Sequence, residues 1–318
     1  IDGMTGRGYT EEYARRIFKQ LEGFGSYGFP ESHAASFALL VYVSCWMKCY
    51  YPDVFTTALL NSQPMGFYQP SQLVIDAQKH EVKVRPVDVN ISSWDNTLEE
   101  PEGKYRAIRL GFRQVKGLAE KDALALIAGR AEPYKAIHLM RDAGVSQEAL
   151  EKLADADAFR SMDMDRRQAM WEASALSDRP MGAFAGHKSA SEFEAPVELP
   201  KLSLSEHVVQ DYMSTSLSLK AHPVSFVRED LAAKRVIKTA DLAGLRDKQF
   251  VRVAGLVLVR QRPGTAGGVC FITIEDESGV ANLVVFQSLF EKYRKEILRS
   301  RLLMVEGKLQ IEGEVIHV

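Results

Sequence analysis

Residues 249–318 carry the pattern that most restricts what this chain can fold into. Phe250 to Arg262 alternates apolar with polar side chains, Val269 to Glu275 is rich in β-formers, and Val280 to Phe286 is a third strand-like run. Ser288 to Leu298 then reads as a helix, and Arg301 to Leu309 and Ile311 to Val318 close the set. Pro263-Gly264, Gly267-Gly268, Ser278-Gly279 and Gly313 supply the turns. A period of two predicts half-buried strands. Three strands, a helix and two strands is the order of a five-stranded OB-fold barrel, although other small β barrels also carry a helix.

Alternation along the first of these strands puts Arg252, Leu256, Leu258, Arg260 and Arg262 on one side. Val251, Val253, Val257 and Val259 fall on the other. In the second strand Phe271 and Thr273 alternate with Cys270, Ile272 and Ile274. Arg252, Arg260, Arg262 and Phe271 are therefore expected to form a face that stacks bases and holds the phosphates of a single DNA strand. Residues 249–318 hold nine basic and eight acidic residues, a charge of only +1, so that binding is expected to be modest. Protein docking is the alternative use.

Everything upstream reads differently. Residues 1–62 are helical, with a charged stretch from Glu11 to Glu22 and a Gly/aromatic loop from Gly23 to Pro30. An apolar helix runs from about Glu31 to Tyr51, and Pro52 stops it. Asp53 can cap the helix that follows, Val54 to Leu60. Residues 63–103 read as a small α/β insert, with a helix from Pro70 to His80 and alternation from Val82 to Val89. Residues 104–176 are helical again, broken at Gly117, Gly129, Pro133 and Gly144. Residues 177–248 read as a connector with short helices, rich in Ser, Pro, Ala and Gly at its start. The fold class expected is α+β and multidomain, mostly helical until the β barrel. The chain starts and stops in mid-pattern, which suggests a piece of something longer.

Composition narrows the function classes. At 46% apolar and 26% charged residues, wholesale disorder is excluded. A formal net charge of −2 excludes a uniformly basic nucleic-acid coat but not a local patch. The longest uncharged apolar run, Ala34 to Met47, is too short to span a bilayer, so no membrane role is expected. Cys45, Cys49 and Cys270 give neither a disulfide framework nor zinc-ligand spacing. They are expected to be buried apolar residues in a reducing cytoplasm.

One local patch stands out. Residues 104–130 hold seven basic residues and two acids, a charge of +5. The run contains Val115-Lys116-Gly117-Leu118, followed by Ala123 and Leu126 at helical spacing. This is the pattern of a helix-hairpin-helix, in which a glycine lets the hairpin backbone approach a DNA phosphate. Arg113, Lys116, Gly117 and Lys121 are the residues expected to meet duplex DNA. A basic, solvated face over a structural hairpin is the competing reading. A second hairpin, Leu150 to Phe159, carries acids where glycine and positive charge belong, and it is expected to be structural. The doublets Asp155/Asp157 and Asp163/Asp165 lie in a helical region with no strand to hold them, so cap and turn roles are expected. At the other end of the chain, Ser32, His33, Ser36 and Phe37 follow the aromatic loop at a helix start. A helix N-terminus favours phosphate, so these four are nucleotide-proximal candidates, against the bland reading of a capped core helix.

Gly25 to Pro52, GSYGFPESHAASFALLVYVSCWMKCYYP, resembles the end of the fingers region of bacterial C-family DNA polymerases, the α subunits of polymerase III. Asn61 to Ser92, NSQPMGFYQPSQLVIDAQKHEVKVRPVDVNIS, resembles the error-prone, damage-inducible branch of that family, ImuC or error-prone DnaE. Leu217 to Pro223 also matches the family's turn before His-Pro. The resemblance implies a parent enzyme that makes DNA on damaged templates with Mg2+. It implies a chain that lacks the catalytic palm aspartates, holds no cofactor and is inactive alone. Phe37 stands where many relatives carry Tyr, and Asp157 replaces the second hairpin's glycine. The family's sliding-clamp peptide has only a poor counterpart at Arg179 to Phe184. Direct clamp binding is therefore expected to be weak or absent, with recruitment through ImuB and ImuA. A free-standing hairpin/OB adaptor and a pure protein scaffold are the competing classes.

Overall fold

The structure, a computed structural model, describes residues 1–26, 31–66, 69–176 and 199–318, with the side chains of 23–26 and 31–35 outside the description. The chain forms two compact units. One comprises residues 1–85 and 96–109, the other residues 86–95 and 110–318.

The first unit opens with α1 (Asp2–Thr5), α2 (Glu11–Ser26), α3 (Glu31–Tyr50), α4 (Pro52–Asn61) and α5 (Pro70–Lys79). Pro52 and Pro70 each stand at the first helical turn, where a missing N–H costs nothing. Asp53 does not cap α4 through its side chain. It is buried, and its carboxylate accepts the Arg106 N–H at 2.9 Å. A small sheet of β1 (Val84–Arg85), β2 (Thr97–Glu102) and β3 (Tyr105–Arg109) completes the unit in the order β1-β3-β2.

The structure departs from the sequence pattern at three further places in this unit. The alternation from Val82 to Val89 gives a strand of only two residues, because Pro86 has no N–H to donate to a ladder. Residues 105–109 are a strand and not the start of a helical module. Gly103, at φ +81, makes the turn that folds β3 back on β2, and its positive φ is the turn signal that the reading by charge passed over. Finally, α3 is not a core helix in this chain. Leu39, Leu40, Val41, Tyr42 and Trp46 are all exposed, as are Cys45 and Cys49.

The second unit contains a short 3₁₀ turn at Phe112–Gln114, then α6 (Glu120–Gly129), α7 (Ile137–Asp142), α8 (Gln147–Asp155) and α9 (Arg166–Ala175). Phe112, Leu126, Met140, Leu150, Leu153 and Phe159 form its buried apolar interior. Residues 86–95 belong to this unit. Asp88 accepts hydrogen bonds from Ser161, and Val89 N–H donates to Ala158 O. The connector supplies α10 (Leu204–Thr215), which begins with a Ser203/Glu206 capping box. It continues through α11 (Arg228–Ala233).

The β-rich end of this unit consists of β4 (Phe250–Gln261), β5 (Cys270–Glu275), β6 (Val280–Val285), α12 (Gln287–Lys292), α13 (Arg294–Arg299), β7 (Leu302–Lys308), β8 (Gln310–Glu312) and β9 (Val315–His317). Six strands stand in the order β7-β4-β5-β6-β9-β8, one more than expected. The extra strand arises because Gly313, at φ +60, folds the last run into a hairpin of β8 and β9. The single expected helix is likewise divided at Tyr293. Val251, Val253, Ile272, Ile274, Leu283, Phe290 and Leu309 pack in one core.

Candidate nucleic-acid interface

The first hairpin is built as its sequence implies. Gly117 lies at φ +71, a conformation that costs a residue with a side chain about 1 kcal/mol or more. Leu118 N–H closes the turn on Val115 O, and α6 begins two residues later without a side-chain cap. The N–H groups of Gly117 and Ala119 meet no acceptor among the described residues. Together with the positive end of the α6 dipole they form an anion-favouring surface. Lys121 stands exposed in the first turn of α6.

The cations around the hairpin are less free than their number suggests. Arg113 pairs with Asp95 at 2.6 Å. Lys116 donates its ammonium to Tyr212 O at 2.9 Å and Met213 O at 3.0 Å. Arg130 is turned inward to Val89 O and Ser92 O, and burial lowers its pKa. Lys104, Arg106 and Arg109 belong to the other unit, where Arg109 is buried against Glu99. Within the second unit the cations of this stretch are Arg113, Lys116, Lys121 and Arg130, and three of them already have partners.

The second hairpin is a charge clamp on the connector. Asp157 lies at φ +60, at the position where a hairpin glycine would stand, and it is 5% exposed. Its carboxylate pairs with Arg160 at 2.8 Å and Lys220 at 3.1 Å. Lys220 also meets Asp211, which pairs with Arg166. Nearby, burial lowers the pKa of His207, against the pull of Asp157. Asp163, at φ +56, ends a 3₁₀ turn and Asp165 precedes α9. Among the described residues no group of three or more His, Cys, Asp or Glu could hold a metal ion. These carboxylates do not fit a two-metal site.

On the β sheet the expected basic face is divided. The ladder between β4 and β5 shifts between Val257 and Val259. That bulge inserts one residue and reverses which side each later side chain occupies. Arg260 accordingly pairs with Ile272, a core position, and its guanidinium donates to Ser300 O. Val259, expected inside, is exposed. Arg252 binds Glu306 at 2.5 Å, and Arg262 lies 4.4 Å over the Phe290 ring. Phe271 remains exposed on the outer face with Gln261 as its ladder partner.

Of the nucleotide-proximal candidates, Ser36 and Phe37 are exposed on α3, while the side chains of Ser32 and His33 lie outside the described residues. The stretch Arg179 to Phe184 lies outside them too. Sequence reasoning missed the clamp formed by Arg166, Asp211 and Lys220. Its residues are scattered over 55 positions, and the one local signal was an Asp where the second hairpin wanted Gly.

Residues 81–169 match a helix-hairpin-helix motif model, and residues 251–318 match an OB-fold nucleic acid binding domain model. Over its whole length the chain is 50% identical to an error-prone DNA polymerase of Sinorhizobium medicae (strain WSM419). It is 53% identical to error-prone DNA polymerase 2 of Agrobacterium fabrum (strain C58) and 50% identical to an error-prone DNA polymerase of Brucella abortus biovar 1. The chain spans about 30% of the length of these curated relatives.

Proposed function

Starting from a chain that is homologous along its whole length to a segment of error-prone DNA polymerases, we propose that it is the DNA-gripping and docking region of such an enzyme. The observation that carries this reading is the Gly117 hairpin. Its N–H groups stand open beside the N-terminus of α6, inside the segment that matches the helix-hairpin-helix model. Contacts of that kind hold the duplex backbone without reading bases. The parent protein is a DNA-directed DNA polymerase of the cytoplasm that tolerates damaged templates and uses Mg2+ held by palm residues outside this chain. The described residues contain no helix long and apolar enough to cross a membrane.

The OB-fold segment binds single-stranded template through the outer face around Phe271. A second reading, docking of ImuB- and ImuA-type partners on this segment, is favoured by the exposed apolar side chains Phe286, Leu289 and Tyr293 on and beside α12. Direct clamp binding is weak or absent.

A titration of primer–template and of single-stranded DNA at two salt concentrations tests the reading. Duplex affinity is expected to fall steeply with salt and to drop in Gly117→Ala and Lys121→Met. Duplex affinity that is flat with salt and unaltered in both variants would assign the region to protein docking alone.

A further inference from the structure

The first hairpin is pinned from two sides by lysines. Near the C-terminus of α10 the carbonyls of Tyr212, Met213 and Ser214 lie at the end of a helix, where acceptors lack intrahelical partners and a cation is favoured. Lys116 satisfies all three, two through its ammonium and the third through its N–H, which lies 2.8 Å from Ser214 O. On the other side, the Lys152 ammonium lies 2.6 Å from Gly117 O and 2.5 Å from Glu148. What is left for a ligand is the N–H of Gly117, the N–H of Ala119 and the exposed Lys121.

We propose that Lys116 is a positioning residue of the hairpin and not a phosphate ligand. It fixes the loop against the end of α10 so that the open N–H groups keep one conformation. The inference rests on the hairpin reading above and adds to it a dependence on α10. Moving the ammonium to a phosphate would strip the Tyr212 and Met213 carbonyls of their donor. It would also loosen the Lys116–Gly117 backbone on which the open N–H groups depend. Ser216, at φ +64, also shapes this end of α10. A β-branched residue is strongly disfavoured there, so Ser216→Val disturbs the same carbonyls while every hairpin residue stays unchanged.

Counterion release separates a positioning residue from a ligand, because each phosphate neutralised adds about 0.9 to the slope of log affinity against log salt. The test titrates a blunt duplex with the 318-residue chain at several salt concentrations. Lys116→Met and Ser216→Val are each expected to weaken binding roughly tenfold at unchanged slope. The double variant is expected to be no weaker than Lys116→Met alone, since both act through one element. Lys121→Met is expected to lower the slope by about one. A slope lowered by about one in Lys116→Met, with Ser216→Val binding as wild type, would overturn the proposal. Loss of all effect in Gly117→Ala and Lys121→Met would instead remove the hairpin reading and this inference with it. Should Lys116→Met fail to fold, Ser216→Val decides alone. Weaker binding at an unchanged slope supports the inference, and wild-type binding overturns it.

Discussion

Arg166 and Asp211 form an ion pair in which both side chains are at least nine-tenths buried, and it joins α9 to α10. Arg166 also donates to His207 O at 2.9 Å, and Asp211 accepts from Ser218 and Lys220. Removing one partner of such a pair leaves a buried charge with too few donors. Arg166→Met is expected to lower stability by about 3 kcal/mol in urea unfolding, at the low end for a broken buried pair because Lys220 remains. The double variant Arg166→Met/Asp211→Leu is expected to recover part of that loss, since no buried carboxylate then lacks its partner. A double variant less stable than the single would mean that the pair contributes net attraction.

Asp157 allows a second test, because two effects oppose each other there. Glycine at this φ of +60 would relieve about 1 kcal/mol of left-handed strain. It would also strip the partly exposed Arg160 and Lys220 of a hydrogen-bonded carboxylate, a loss of about 1.5–3 kcal/mol. The second effect wins, so Asp157→Gly is expected to destabilise the chain while leaving duplex affinity unchanged. An increase in duplex affinity would show that the second hairpin still works as a phosphate site once its glycine is restored.

The first hairpin and the order of the β-rich segment were legible because both are local. Gly117 announces a left-handed turn, and period-two runs announce strands. What was not legible depended on distant partners or on a single inserted residue. The bulge between Val257 and Val259 moved Arg260 off the face that simple alternation gave it. Lys116 looked like a DNA contact because its partners are carbonyls nearly a hundred residues away. The apolar sequence of α3 was read as core, yet Leu39, Leu40 and Tyr42 are each at least 60% exposed in this chain. Hydrophobicity showed that the helix favours burial and could not show that these side chains stand exposed in this chain.

Asp276 ties residues 228–239 to the β-rich segment and gives the fold an acid limit. It is 2% exposed, and it accepts from Thr239, Ser278, Gly279 and Arg228. Burial pushes its pKa up, but the hydrogen bonds from Ser278 and Thr239 outweigh that and hold it below the ordinary carboxylate value. The folded state therefore favours the ionised form. This contribution is fully present above the unfolded carboxylate pKa of about 4 and is lost as pH falls through the lower folded value. Thermal melts are expected to fall on acidification below about pH 4. Asp276→Asn is expected to be less stable at neutral pH and to show a flatter acid limb. An unchanged acid limb would place the titrating group elsewhere.

Phe271 and Arg260 separate the surface of the β sheet from its scaffold. Arg260 sits on the core side of the bulge with its guanidinium on Ser300 O, and its Nε is buried without a hydrogen-bond partner. Phe271 lies exposed on the outer face among Gln261, Thr273 and Asn282. If single-stranded DNA stacks on this face, Phe271→Ala costs about 1–3 kcal/mol of binding, the value of one stacked base, with no loss of stability. Arg260→Ala should do the reverse, lowering the melting temperature while affinity per folded molecule stays the same. Fluorescence anisotropy with a labelled oligothymidine, paired with calorimetric melts, reads both quantities. Single-strand affinity that falls in Arg260→Ala and holds in Phe271→Ala would move the binding surface to the inner end of the strands. In that arrangement Arg262, stacked over Phe290, becomes the next residue to change.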